Sequence, residues 1–168
     1  MGFVKKVLNF LKDFPLPSPP HFYKPQIHSN ICTSKAPAPG NYSQARVVDL
    51  GNVLAVYTAG QTGNIPETDE VVEGGIGPQT QRALENIVAV LGDVGGSRND
   101  IVATTVYMKD MVRNKAGFEQ EYKSFFEGCI LPARALVEVS EIPLPTEDTI
   151  VEISAVAHVA KTRMRGPY

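Results

Sequence analysis

The chain carries only two cysteines in 168 residues, Cys32 and Cys129, and they lie far apart with no paired spacing. That excludes the disulfide framework that staples small secreted domains and points to a reducing compartment. The three histidines, His21, His28 and His158, form no spaced cluster with those thiols, so no structural zinc site is expected. No apolar run approaches the roughly 20 residues that a helix needs to cross a bilayer, and a soluble domain is expected. A basic excess is missing as well. Lys and Arg total 16 against 18 Asp and Glu, a formal net charge of -2, and no Lys/Arg stripe interleaved with aromatics runs through the body of the chain. The electrostatic footprint of a nucleic-acid binder is therefore lacking. What is present, 43% hydrophobic and 20% charged residues, is the composition of one ordinary domain with a single core.

Residues 1–33 differ from the rest. Pro15, Pro17, Pro19, Pro20 and Pro25 crowd a short span, and Lys5, Lys6, Lys12 and Lys24 face only Asp13. A proline run packs neither as helix nor as central strand, so a disordered or loosely docked extension is expected. Within it Phe3, Val4, Val7, Leu8, Leu11 and Phe14 recur at helical spacing with lysines between, the pattern of a short basic amphipathic helix. A mitochondrial presequence is a second reading, opposed by the lack of arginine and by Asp13. Myristoylation of Gly2 is a third, opposed by Lys6 where that motif has Ser or Thr. Cytoplasm is the expected compartment, with the mitochondrion as alternative. The domain proper is expected over 34–160, followed by a tail over 161–168.

Ala36-Pro37-Ala38-Pro39-Gly40-Asn41 is a loop rich in breakers. A strand from Arg46 to Leu50 follows, then Gly51-Asn52, a favoured two-residue hairpin turn, then a returning strand from Val53 to Ala59. Gly60-Gln61-Thr62-Gly63-Asn64 and the acidic segment up to Gly77 make a loop at the strand's carboxyl end, where binding residues often sit. Between Pro78 and Leu91 the apolar positions Ala83, Leu84, Ile87, Val88 and Leu91 recur at three and four, which specifies a helix. Asp100 to Met108, rich in β-branched residues, is a strand. A second helix is expected from about Lys115 to Glu127, with Phe118, Tyr122, Phe125 and Cys129 on its buried stripe. With no histidine near it in sequence, Cys129 reads as buried filler rather than as a nucleophile.

Two alternating runs close the chain. In the first, Ala135, Val137 and Val139 face one side while Arg134, Leu136, Glu138 and Ser140 face the other. In the second, Val151, Ile153, Ala155, Ala157 and Val159 make a continuous apolar face, leaving Ile150, Glu152, Ser154, Val156 and His158 opposite. If these strands pair, as sequence neighbours often do, Arg134 and Glu152 share the face away from the core. The order β, β, α, β, α, β, β predicts a two-layer α+β domain with both helices on one face of the sheet. The other face, holding Leu136, Ile150 and Val156 beside Arg134 and Glu152, is then expected to be covered by self-association, with any site there near a subunit boundary. From the strand pattern alone, Arg134 and Glu152 are most simply an ion pair across an oligomer interface. His158 reads as an interface or rim residue, and Glu138 as an inter-subunit or strand-pair partner.

In this order the segments Pro39-Gly40-Asn41-Tyr42-Ser43-Gln44-Ala45, Thr58-Ala59-Gly60-Gln61, Thr104 to Asp110, Tyr122 to Phe126, Pro132-Ala133-Arg134, Val137-Glu138-Val139 and Val151-Glu152-Ile153 resemble the RidA/YjgF family over about Thr33 to Val159. The resemblance implies a chorismate-mutase-like fold, a βαβαβ-type mixed sheet with two helices on one face, assembled as a homotrimer with sites at subunit interfaces. It implies hydrolysis of reactive 2-imino and enamine acids, such as 2-aminoacrylate, 2-iminopropanoate and 2-iminobutanoate, to 2-keto acids and ammonia. That activity protects pyridoxal-phosphate enzymes and uses no cofactor and no metal. The partners implied are small 2-imino or 2-keto acids. The family's carboxylate-binding arginine falls on Arg134, its water-positioning glutamate on Glu152, its site tyrosine on Tyr42 and its pocket-lining glycine on Gly60. Three positions depart from the family pattern: Leu136 replaces a cysteine, Ala59 a small hydroxyl residue, and Glu119 an asparagine.

The residue chemistry is consistent with those roles. A guanidinium offers a rigid fork of donors that matches a planar carboxylate. A carboxylate such as Glu152 serves as general base when it reaches the attacking water. A protonated imine is already electrophilic, so orientation and one base suffice without a nucleophile or a metal. Glu119 repels an anionic substrate unless it points away or is protonated. Two other classes stay open: a non-catalytic keto-acid-binding regulatory trimer, and an RNA-cleaving translation inhibitor, which the acidic body disfavours.

Overall fold

Seven strands, two α-helices and two short 3-10 turns form in the computed structural model, which describes residues 26–142 and 148–163. The helix, presequence and myristoylation readings of the amino-terminal segment lie outside the described residues, as does most of the tail expected after 160. In chain order the strands are β1 (Gln26–Ile31), β2 (Ala45–Asp49), β3 (Val53–Thr58), β4 (Gln61–Thr62), β5 (Ile101–Met108), β6 (Ala133–Glu138) and β7 (Val151–Ala160). The helices are α1 (Ile76–Gly92) and α2 (Met111–Phe125). Strands run in the order β1-β2-β3-β7-β5-β6, with β4 added beside β7. All pairings are antiparallel except β5 with β6, which is parallel, so the sheet is mixed and the expected α+β arrangement holds.

The β2–β3 turn follows its sequence signal. Gly51 takes a φ of 95°, which favours glycine, and Leu50 N–H donates to the Val53 carbonyl at 2.9 Å. Helix α1 buries Ala83, Leu84, Ile87 and Leu91 against β7 and α2, as its spacing requires, and buries Val90 as well, while Val88 is only half-buried. Helix α2 starts four residues earlier than expected. Asp110 adopts the left-handed conformation before it, and the Glu138 carboxylate accepts the Met111 N–H at 2.9 Å, placing a negative charge at the helix's positive end. Glu138 thus closes a helix start within its own chain, rather than pairing across strands.

Three expectations are corrected. The segment up to residue 33 is not wholly an extension: Gln26–Ile31 pairs with β2 as an edge strand, because only the prolines upstream of it bar sheet pairing. The loop expected from Gly60 onward contains β4, too short to leave a periodic signal. Most consequentially, β6 and β7 do not pair; β5 lies between them. Arg134 stands opposite Thr104, and Thr104 opposite Ala155, so Arg134 shares the face of the buried Ile153 and Ala155. Glu152 stands opposite Tyr107, and Tyr107 opposite Val137, on the other face. Arg134 and Glu152 therefore lie on opposite faces of one sheet. Leu136 moves with Arg134 and packs against the helix-side core instead of the open face. The open face carries Tyr57, Tyr107 and Val137, 48%, 38% and 43% exposed, together with Val156 and Ser154.

Candidate functional site: two half-sites on opposite faces

Glu152 and the loops beside β3 form the first half-site. A cleft of about 580 Å³ is lined by the loop from Pro37 to Tyr42, by Ala59, Gly60 and Gln61, and by Thr62, Asn64, Asp69 and Glu152. One buried amide shapes its outer wall. Gln44 is 1% exposed; its Oε1 accepts the Thr33 N–H at 2.6 Å, and its Nε2 donates to the carbonyls of Thr33, Ala36 and Pro37 at 3.0, 3.2 and 2.8 Å. A proline-rich loop has few N–H groups with which to hold itself, and Gln44 supplies the missing donors. Tyr42, 57% exposed, stands at the rim.

The inner wall is held in the same manner. Asn86 of α1 donates to the carbonyls of Thr62 and Asn64 at 3.1 and 2.9 Å, the Thr62 hydroxyl donates to Asn64 Oδ1 at 2.7 Å, and Asn64 Nδ2 donates to Asp69 Oδ1 at 3.0 Å. Between these walls Glu152 lies so close to Gly60 that a Cβ there would overlap its carboxylate. A residue with any side chain at 60 is excluded unless Glu152 moves. Burial holds the Glu152 carboxyl above its ordinary range, because an ion is less favoured where water is scarce. The group is thus a stronger proton acceptor once ionised than a solvated glutamate.

Arg134 organises the second half-site, between β6 and α2. Its guanidinium stacks over the rings of Tyr122 and Phe118, with centroids 4.8 and 5.2 Å away. Those residues are four apart on α2 and share one helix face, as its periodicity dictates. The Tyr122 hydroxyl is fixed by the Thr104 hydroxyl at 2.8 Å. Burial raises the Tyr122 phenol above its ordinary range, against the lowering effects of Thr104 and Arg134, with Glu119 raising it slightly. Both terminal nitrogens of Arg134 are engaged: they donate to the two Glu119 oxygens at 3.1 and 2.6 Å. The side chains of Arg134 and Glu119 are 23% and 40% exposed.

The structure therefore gathers Tyr42, Ala59, Gly60 and Glu152 in one place and Arg134, Glu119 and Leu136 in another. Within one chain it does not join the two groups. Gln44, Asn64 and Asn86 are site-shaping residues that sequence reasoning missed, since a buried amide is not distinguishable in sequence from a solvated one. Only Asn86 leaves a sequence signal, a lone amide next to the apolar run Ile87 to Leu91.

The family model described as Endoribonuclease L-PSP matches residues 33–159. A RutC family protein of Pyrococcus abyssi is 44% identical over 129 residues, covering 76% of this chain and 94% of its own. A Mus musculus protein named 2-iminobutanoate/2-iminopropanoate deaminase is 38% identical over 144 residues, covering 84% of this chain and 95% of its own. Among solved structures, Escherichia coli TdcF with bound serine superposes with a TM-score of 0.67 at 34% identity, covering 77% of this chain and 98% of that one. The Escherichia coli YjgF gene product gives a TM-score of 0.66 at 37% identity, with coverages of 77% and 98%. A match over this much of the chain, at these identities and with the same fold, means that the chain belongs to the RidA/YjgF family.

Proposed function

We propose that the protein hydrolyses 2-imino acids to 2-keto acids and ammonia in a homotrimer, with Arg134 of one copy facing the Glu152 cleft of the next. The observation that carries this reading is Glu152 itself: a carboxylate of raised proton affinity, set against a glycine in a cleft with room for a small acid. The opposite-face placement of Arg134 supports assembly between copies, and so does the apolar open face bearing Tyr57, Tyr107 and Val137. The deaminase name of the mouse relative supports the reaction class.

Arg134 anchors the substrate carboxylate through its donor fork. Ionised Glu152 takes a proton from water as the water oxygen bonds to the imine carbon, giving a carbinolamine. The proton then passes from Glu152 to the amine nitrogen, the C–N bond breaks with its electron pair leaving as ammonia, and the hydroxyl proton is released as the carbonyl forms. Tyr42 closes the rim. The test is ammonia and keto-acid release from an imine generated in situ, for wild type, Arg134→Ala and Glu152→Gln. Loss of turnover in both variants is expected, and unchanged rates in both would sink the mechanism. The bidentate hold of Glu119 on Arg134 favours a second reading, a regulatory trimer that binds a small acid without turning it over. Keto-acid binding with no ammonia release from any imine supplied would establish that one.

A further inference from the structure

The fork that Arg134 offers to a substrate already holds a carboxylate. Glu119 accepts from both terminal nitrogens, while Phe118 and Tyr122 pack under the guanidinium plane. A 2-keto acid and the Glu119 side chain present the same chemical group, a planar monoanionic carboxylate, to the same donors. A guanidinium has five N–H groups, so two taken by Glu119 leave three. A keto acid bound to the remaining donors places two anions on one cation, with the ionised Glu152 of the neighbouring copy adding a third negative charge nearby, which disfavours it. A protonated 2-imino acid differs at one place: beside its carboxylate it carries a cationic nitrogen. Arg134 can take the carboxylate of such a zwitterion while Glu119, whose side chain is 40% exposed, turns to the nitrogen, leaving both charges paired.

Resting on the reading of Arg134 as substrate anchor, we propose that Glu119 is a specificity-determining residue that selects zwitterionic 2-iminium and 2-amino acids over monoanionic 2-keto acids. The same charge arithmetic favours release of the product. Hydrolysis removes the cationic nitrogen, the anion left behind has no partner for Glu119, and Glu119 returns to Arg134.

The experiment is calorimetric titration of the full-length protein with 2-aminobutanoate, a stable zwitterion, and with 2-oxobutanoate, the corresponding anion. Wild type, Glu119→Gln, Glu119→Ala and Arg134→Gln are compared. Wild type is expected to bind the zwitterion more tightly than the anion. Both Glu119 variants should gain about fivefold in affinity for 2-oxobutanoate, the scale of releasing one partly exposed ion pair, and should lose their preference for 2-aminobutanoate. An affinity ratio that is unchanged in both Glu119 variants overturns the proposal. Undiminished binding of both ligands by Arg134→Gln would instead overturn the anchor on which it rests, so the two failures are distinguishable.

Discussion

Glu152 rests against the backbone of Gly60, in the space that a Cβ on that glycine would occupy. The close approach fixes where the carboxylate points, and it gives Gly60 a role that does not depend on unusual torsions. Gly60→Ala is expected to push Glu152 out of place, lowering kcat/KM for imine hydrolysis at least tenfold. The overpacking should cost about 1–3 kcal/mol. Steady-state kinetics and denaturant unfolding on the same sample check both.

Burial raises the Glu152 carboxyl in the folded chain above its unfolded value. Between those two values the folded state binds the proton more tightly, so stability falls as pH rises through that window, and the cost of the buried ion is fully present above it. Glu152→Gln should therefore be more stable than wild type at neutral pH, with the difference vanishing below the unfolded value. The same variant should lose turnover by about 10²–10⁴-fold, the usual scale of a general base. Wild-type rate should fall on acidification at a higher pH than a solvated glutamate would give. Thermal unfolding and rate profiles across pH test the sign; a less stable glutamine variant at pH 8 contradicts it.

Arg134→Lys keeps the charge but removes the planar fork. Loss of charge-assisted, paired hydrogen bonds costs roughly 1.5–3 kcal/mol, so 2-oxobutanoate affinity should fall about 10- to 100-fold, with KM rising more than kcat falls. Stability should change by less than about 1 kcal/mol, because the ion pair with Glu119 is partly exposed. Titration and chemical unfolding separate the two effects.

A trimer built on the open sheet face predicts a solution mass three times the 18.2 kDa chain. Val156 stands opposite Tyr57 and Ala103 on that face. Val156→Asp would place a charge there and should yield monomers with imine turnover at background level. Light scattering coupled to size exclusion, alongside the ammonia assay, decides this; a wild-type monomer would remove the assembly.

Gln44→Ala deletes four hydrogen bonds that hold the cleft's outer loop. Leaving buried backbone groups unsatisfied costs about 1–3 kcal/mol each where water cannot replace the amide. A stability loss of at least that size is expected, with faster amide exchange at Thr33 than in wild type. Hydrogen exchange read by mass spectrometry checks it.

Legibility differed from element to element. The α1 helix, the β2–β3 hairpin and the strands β5 and β7 were readable because each repeats a pattern over many residues: Leu84, Ile87 and Leu91 at helical spacing, or Val151 to Val159 in alternation. Tyr42, Gly60, Glu152 and Arg134 were readable as candidates because the motifs around them resemble a known family. The two-residue β4 had no room for a pattern. The start of α2 depended on Glu138, which is 27 residues away in sequence from the N–H that it accepts. Gln44 looked like any surface amide until its carbonyl partners were in place.

The sequence by itself determined the class of fold, the buried stripe of α1, the core face of β7 and the segments that carry the candidate chemistry, because those follow from local periodicity and local motif. Only the tertiary structure decided which faces the key side chains occupy. Alternation assigns a residue to one of two sides of its own strand, but it does not say which strand lies beside it. By placing β5 between β6 and β7, the fold put Arg134 on the helix side with Glu119 in its fork and left Glu152 on the open side against Gly60. One supposed pair of site residues thereby became two half-sites.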